Sequence, residues 1–190
     1  MQQSMISKLL GLKADKLALM MVLMALTVCP LGLSAQRMTA DQFMAVIQEK
    51  QQKIDVIHDG IESAWYYYDM DNAETRARHT TNYEFDIDLV LARFNRTISI
   101  MNYAAARIAG EVAEFMRQHR YDGIFSDDVM SEGIAKYIDM QSFFNEWGYK
   151  SEEKFRRNWS NFTAKYGNNG SAYFQDDNAY MRRYGVYVDN

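Results

Sequence analysis

The chain has 190 residues and carries 21 Lys and Arg against 25 Asp and Glu, a formal net charge of −4. An acidic chain without a dense basic stripe is a poor nucleic-acid binder, because phosphate neutralisation supplies most of that affinity. The single cysteine, Cys29, lies near the start of the sequence. The remainder can form no internal disulfide and must be stabilised by an apolar core, for which one domain of this length suffices.

Residues 1–35 have the three parts of a secretory signal. Three lysines precede an apolar run over residues 17–28, in which only Thr27 is polar, and small residues follow at Ser34 and Ala35. We predict cleavage between Ala35 and Gln36. The protein is therefore expected to be exported, with a periplasmic, outer-surface or secreted location. Its mature part is one helical domain over residues 36–190, divided into a hairpin (36–121) and an aromatic-rich C-terminal subdomain (122–190).

Two alternatives remain for this segment. An uncleaved anchor over residues 17–35 would hold the protein in a membrane, although Pro30 interrupts a run already shorter than the roughly 20 residues that a span needs. A lipid attached to Cys29 would do the same, although Val28 stands where such signals usually carry a small residue. Membrane association is expected only through this segment.

A first long helix is predicted from about residue 40 to about residue 70. Thr39-Ala40-Asp41-Gln42 has the form of a capping box, in which two side chains satisfy free backbone donors. Gly60 inside the helix costs about 1 kcal/mol relative to Ala. Alternating steps of four and three place one stripe on a single face: Phe43, Ile47, Lys50, Ile54, Ile57, Ile61, Ala64 and Tyr68.

A second long helix is predicted from about residue 82 to about residue 119. Thr81-Asn82-Tyr83-Glu84 resembles another capping box, and Asp122-Gly123 supplies a stop. Alternation over residues 83–89 would suit a half-buried strand, but it covers fewer residues than the helical pattern. The helical stripe comprises Ile87, Leu91, Phe94, Ile98, Met101, Ala105, Ile108, Val112 and Phe115.

The two helices are expected to form an antiparallel hairpin, joined by a polar loop over residues 71–80. This arrangement predicts that Tyr68 lies near Tyr83 and Phe43 near Ile108. The second helix would then overhang the first by about two turns, and the C-terminal third would cover the overhang.

The C-terminal third is predicted to form a small aromatic-rich cap. Ser126 begins one helix that ends near Gly148, and Ser151 begins another that ends at Gly167. The last twenty residues suit a short β-hairpin or an extended tail. More large rings occur here than a small cap obviously buries, which predicts a binding surface formed by Trp147, Trp159, Tyr173, Tyr180, Tyr184 and Tyr187.

No motif predicts catalysis, a cofactor or a metal. Asp55 and His58 form half of a carboxylate di-metal pattern whose second half is missing. Asp69-Met70-Asp71-Asn72 begins like a calcium loop but lacks its sixth-position glycine and final glutamate. We therefore predict no catalytic residue, no cofactor and no bound metal.

The pattern favours a non-enzymatic binding or assembly protein of the cell envelope or exterior, such as a component of a secretion, pilus or adhesion machinery. Its partner would be a protein or a glycan, and self-association is left open. This link rests on architecture, which does not fix function. Two alternatives are a small exported hydrolase acting on glycan or cell-wall material, and an inhibitor or immunity-type protein that binds one enzyme.

Overall fold

The computed structural model describes residues 38–79, 86–167 and 174–188, and the predicted signal segment lies outside them. The described residues form helices without any strand, which confirms the mostly α class. No helix among them is long and apolar enough to cross a membrane. In chain order the helices are α1 (Ala40–Tyr67), α2 (Ala73–His79), α3 (Ile87–Gln118), α4 (Asp127–Tyr166) and α5 (Gln175–Arg183).

Helix α1 begins and runs as predicted. The Thr39 hydroxyl accepts from the Gln42 backbone N–H, and the Gln42 side chain accepts from the Thr39 backbone N–H, which completes the capping box. The apolar stripe faces the core, with Phe43 1% exposed. Its polar member, Lys50, pairs with Glu111 of α3 at 2.5 Å. The interface between α1 and α3 is called the seam, and an ion pair at its edge therefore explains the lysine in the stripe.

The connection between the long helices is more structured than predicted. Residues 71–80 were expected to form a polar loop, but α2 occupies most of this segment. Asp69 adopts a positive φ of 50° in the preceding turn, and its carboxylate accepts hydrogen bonds from Asn72 and Arg76. Ala73 is buried, so the connection packs onto the domain.

Helix α3 is the centre of the fold. Its N-cap is Asp86, whose carboxylate accepts from the Asp88 backbone N–H, and the segment from Ile87 is helical rather than extended. The earlier capping box over residues 81–84 lies outside the described residues. Each of the other helices packs on α3. The predicted stripe is buried from Ile98 to Val112, whereas Ile87, Leu91, Phe94 and Phe115 are half-buried. Residues outside the stripe are buried as well, because helices pack on several sides of α3: Leu89, Ala92, Thr97, Asn102, Ala106, Ala109 and Ala113.

The hairpin is antiparallel, but its register differs from the prediction. Phe43 stacks on Phe115 with ring centroids 5.1 Å apart, instead of lying near Ile108. At the other end, the Tyr68 hydroxyl lies 2.7 Å from Thr97 Oγ1. The connection with its extra helix lets α3 begin later, so α1 itself covers Phe115. The predicted overhang is therefore wrong, whereas the C-terminal third does pack on this end of α3, where a Cβ on Gly133 of α4 would meet the Met116 side chain.

Helix α4 replaces the predicted pair of short helices. The Ser126 hydroxyl caps its start, and Gly167, with φ of 79°, ends it as expected. Between these points the helix runs through Gly148 and Ser151 for 40 residues. A Cβ on Gly148 would lie 2.9 Å from two ring atoms of Tyr103, so this glycine permits close packing of α4 on α3 instead of ending a helix. The predicted cap is thus a third long helix.

Helix α5 occupies the segment that was predicted to be a β-hairpin or an extended tail. The hairpin is wrong, since residues 175–183 are helical, and only the short stretch after Gly185 lacks helix or turn structure. Asp177, at 0% exposure, explains the difference. Its carboxylate accepts three hydrogen bonds from Arg93 of α3, between 2.8 and 3.2 Å. A buried ion pair therefore fixes α5 to the central helix.

Gly60 provides a test of packing against helix propensity. A Cβ there would lie 2.5 Å from Cγ of Tyr184, which is the fixed root of that ring. We expect Gly60→Ala to destabilise the protein by about 1–3 kcal/mol, because overpacking outweighs the gain of roughly 1 kcal/mol in propensity. Chemical denaturation would measure the change.

The matched control is Gly133→Ala in α4. A Cβ at this position meets only the flexible end of the Met116 side chain, which can rotate away. We expect Gly133→Ala to be neutral or stabilising by up to about 1 kcal/mol. Equal losses in the two variants would contradict the role assigned to Tyr184.

Candidate binding groove

A groove of about 400 Å³ lies above α3, between α1 and α4. We call it the aromatic groove. Its wall on α1 consists of His58, Ile61, Glu62 and Trp65; its floor on α3 consists of Phe94, Asn95, Ile98 and Asn102; its wall on α4 consists of Phe143, Phe144, Trp147, Ser151 and Lys154.

The groove exists because α1 and α4 pack on the same central helix but hardly on each other. Side chains bridge them where they approach: the Tyr137 hydroxyl donates to Gln51 Oε1 at 2.9 Å. About two turns further along each helix, the rings of His58 and Phe144 lie edge to face, 6.5 Å apart. Beyond this point the helices leave the α3 surface accessible between them.

Large rings line both walls, and several remain accessible. Trp65 and Trp147 are each 45% exposed, and Phe143 is 53% exposed. Trp65 is held edge to face against Phe94, at 5.9 Å, and Phe143 against Phe144, at 5.5 Å. Their apolar surface is therefore fixed by ring contacts while it still faces solvent.

The floor contains hydrogen-bond acceptors. Asn95 and Asn102 each donate through Nδ2 to a carbonyl one turn back, at 2.8 Å, so these donors are occupied. Within the described chain neither amide oxygen accepts a hydrogen bond, yet no buried side-chain oxygen there lacks a partner. Solvent must therefore reach these two oxygens through the groove that both residues line.

The rim carries both signs of charge. Glu62, on α1, has His58 Nδ1 at 3.9 Å from its carboxylate. Lys154 stands on the α4 wall. Among the described residues that line the groove, Glu62 is the only carboxylate, so the groove does not contain the pair of carboxylates that a glycosidase needs.

The six predicted contact residues do not form one surface. Trp147 lies in the aromatic groove. Trp159 is half-buried near the start of α5, stacked on Phe162 at 5.6 Å and close to Phe174 at 5.0 Å. Tyr173 lies outside the described residues.

The three tyrosines at the C-terminal end divide between core and surface. Tyr180 is 3% exposed, and its hydroxyl donates to the Gly60 carbonyl at 2.7 Å. Tyr184 is half-buried against Gly60 and Tyr180. Tyr187 is 78% exposed and borders a second groove of about 450 Å³, next to Val56 and Tyr184. Tyr187 thus keeps the exposure expected of a contact residue, whereas Tyr180 belongs to the core.

Sequence reasoning missed most of the groove. Phe94 was assigned only to the helix seam, and Phe143 was not singled out. The run Trp65-Tyr66-Tyr67-Tyr68 did carry a signal, because four consecutive aromatic residues cannot all face one partner helix. The four rings do point in different directions: Tyr68 is buried between α1 and α3, and Trp65 lines the groove.

The buried polar cluster beside the groove is structural. Burial, and next the charge of Asp177, raise the pKa of Tyr68 well above the ordinary phenol range. Burial, and next a hydrogen bond with Tyr184, also raise the pKa of Tyr180. Both hydroxyls are engaged within the fold, by Thr97 and by the Gly60 carbonyl. These shifts therefore reflect packing and not a reactive centre.

The same shifts predict alkaline unfolding. Because the two phenols resist ionisation in the folded state, unfolded chains lose these protons first as the pH rises above about 10. Stability should be constant with respect to these groups below that pH and should fall above it. Phenolate absorbance should show the last tyrosines to ionise doing so together with the loss of helical circular dichroism. Ionisation of all tyrosines without unfolding would contradict this.

The described residues contain no group of three or more His, Cys, Asp or Glu arranged to hold a metal ion. In the calcium-like segment, Asp71 accepts a hydrogen bond from Trp65 Nε1 at 2.9 Å, and Asp69 is bonded to Asn72 and Arg76. These carboxylates therefore shape the turn after α1.

Comparison of the chain with protein-family models, curated proteins and solved structures gives no significant match. Function must therefore be argued from the geometry of the groove.

Proposed function

We propose that this chain is an exported, non-enzymatic binding or assembly protein whose contact site is the aromatic groove. The observation that carries the proposal is the exposed aromatic surface of Trp65 on one wall and of Phe143 and Trp147 on the other. The floor between these walls contains the amide groups of Asn95 and Asn102. Binding sites are typically concave and apolar with a few placed polar groups, and exposed aromatic residues commonly dominate contact energies.

A hydrolase is less well supported by this groove. Glycan hydrolysis in its usual form requires two carboxylates flanking the scissile bond. Among the described residues that line the groove, Glu62 is the only one with a carboxylate. An inhibitor that binds one enzyme remains a form of the same proposal, since it would also act by contact alone.

The deciding experiment compares groove and surface variants in partner capture. Phe143→Ala with Trp147→Ala removes two exposed rings from one wall, so folding should be retained while capture is reduced by at least about tenfold. The matched control is Tyr66→Ala with Tyr121→Ala, which removes rings that are 78% and 84% exposed outside the groove. Circular dichroism melts establish that both variants fold.

Two outcomes would contradict the proposal. A groove variant that folds and captures the same partners would place the contact site elsewhere, and Tyr187→Ala then tests the second groove. Export is tested separately by intact mass of material recovered outside the cytoplasm, where the expected chain begins at Gln36. A mass of the full chain would contradict cleavage there.

A further inference from the structure

We propose that the aromatic groove binds a small organic ammonium ion, with an aromatic or alkyl body and a protonated amine. This inference rests on the proposed function and names the ligand class of the same site. The groove volume of about 400 Å³ lies within the range of roughly 300–1,000 Å³ that small-molecule sites occupy.

The walls select an apolar body and favour a positive head. Trp65, Phe94, Phe143 and Trp147 present ring surface to the groove, which removes apolar area of a ligand from water. A ring face also attracts a cation within about 6 Å of its centroid. The chain already uses this interaction at one wall, because Lys150 Nζ lies 5.2 Å from the Trp147 centroid.

The floor requires a donor from the ligand. The amide oxygens of Asn95 and Asn102 are acceptors, and their own Nδ2 donors are spent on helix carbonyls. A ligand that brings only acceptors would cover these oxygens and leave them unpaired, which disfavours its binding. An ammonium group brings three donors and no acceptor, which matches this floor.

The charges at the rim determine whether each rim variant should weaken or strengthen ammonium binding. Glu62 on α1 attracts an ammonium ion, whereas Lys154 on α4 repels it. Lys150 does not line the groove, and its charge is paired with Glu146 at 2.6 Å. His58 adjoins Glu62, and its ring can contribute an acceptor nitrogen. Glu62 is the only carboxylate and Lys154 the only lysine or arginine in the described lining of the groove, so the two rim charges oppose each other and can be tested separately.

The test uses three probes with the same aromatic body and different heads: phenethylammonium, 2-phenylethanol and 3-phenylpropionate. Calorimetric titration of the exported form in an amine-free buffer should give the tightest binding for phenethylammonium, by about tenfold over the alcohol. Glu62→Gln should weaken the ammonium complex by about threefold, and Lys154→Gln should tighten it by about twofold. Both side chains stand at the rim, so neither change should alter the fold.

The outcomes separate this inference from the proposed function. Tightest binding of 3-phenylpropionate, or weaker ammonium binding in Lys154→Gln, would overturn the ligand class. Equal affinity for all three probes would also overturn it, while leaving the groove as a binding site. If no probe binds but the Phe143 and Trp147 double variant loses its protein partner, the ammonium inference is wrong and the proposed function stands. If phenethylammonium binds as expected and that variant keeps all its captured partners, the proposed capture role fails instead.

Discussion

Replacing Asp177 with alanine is expected to destabilise the protein by about 3 kcal/mol. Asp177 is fully buried and accepts three hydrogen bonds from Arg93. Removing one member of a buried ion pair leaves the other charge uncompensated, which costs about 3–5 kcal/mol. The lower end applies because the Arg93 side chain keeps 25% exposure. Denaturant unfolding would measure the loss.

The control is Asp176→Ala, one residue earlier in the same helical turn. Asp176 is exposed, so its removal should cost less than about 1 kcal/mol. Similar losses in the two variants would show that the effect arises from the charge at the start of α5 and not from the pair with Arg93.

Replacing Met101 with aspartate is expected to cost at least about 4 kcal/mol, because it buries a charge without a partner. Met101 is 0% exposed and packs towards Gly60 of α1. Ile98, the stripe residue one turn earlier, is a less severe position: it is 8% exposed and lines the groove, where water can reach a charge. Thermal melts of Met101→Asp and Ile98→Asp should rank them in that order.

Arg107→Asp is the appropriate surface control on the same helix. The Arg107 side chain is 75% exposed, and its replacement should change stability by less than about 1 kcal/mol. Arg96 lies off the sequence stripe and would have been the natural choice, but it donates to Asn178 at 3.0 Å and lies over the Phe174 ring. A Met101→Asp variant no less stable than Arg107→Asp would contradict the position of Met101 in the buried interface between α1 and α3.

Capping patterns in the sequence predicted two helix starts correctly. Thr39 and Ser126 cap α1 and α4 as expected. Ser151 carries the same kind of signal, but the helix passes through it, because Gly148 and Tyr103 pack α4 continuously against α3. A capping pattern describes what a residue can do, and long-range packing decides whether it does so.

The C-terminal helix and the groove could not be predicted for a related reason. The acidic pair Asp176-Asp177 is typical of a turn, and only Arg93, 84 residues away, makes a buried helical position favourable for Asp177. The groove depends on how far apart α1 and α4 sit on α3. That separation follows from side-chain packing across three helices and not from the periodicity of any one of them.

The attachment of α5 has a kinetic consequence. Its contacts span 84 residues to Arg93 and 120 residues to Gly60, whereas neighbouring turns of α3 and α4 meet across a short connection. Closing long loops early is entropically unfavourable, so docking of α5 should follow the rate-limiting step of folding. Loss of the Asp177 contact should then accelerate unfolding and leave the folding rate nearly unchanged. The ion pair would thus act as a latch that governs how long the native state persists.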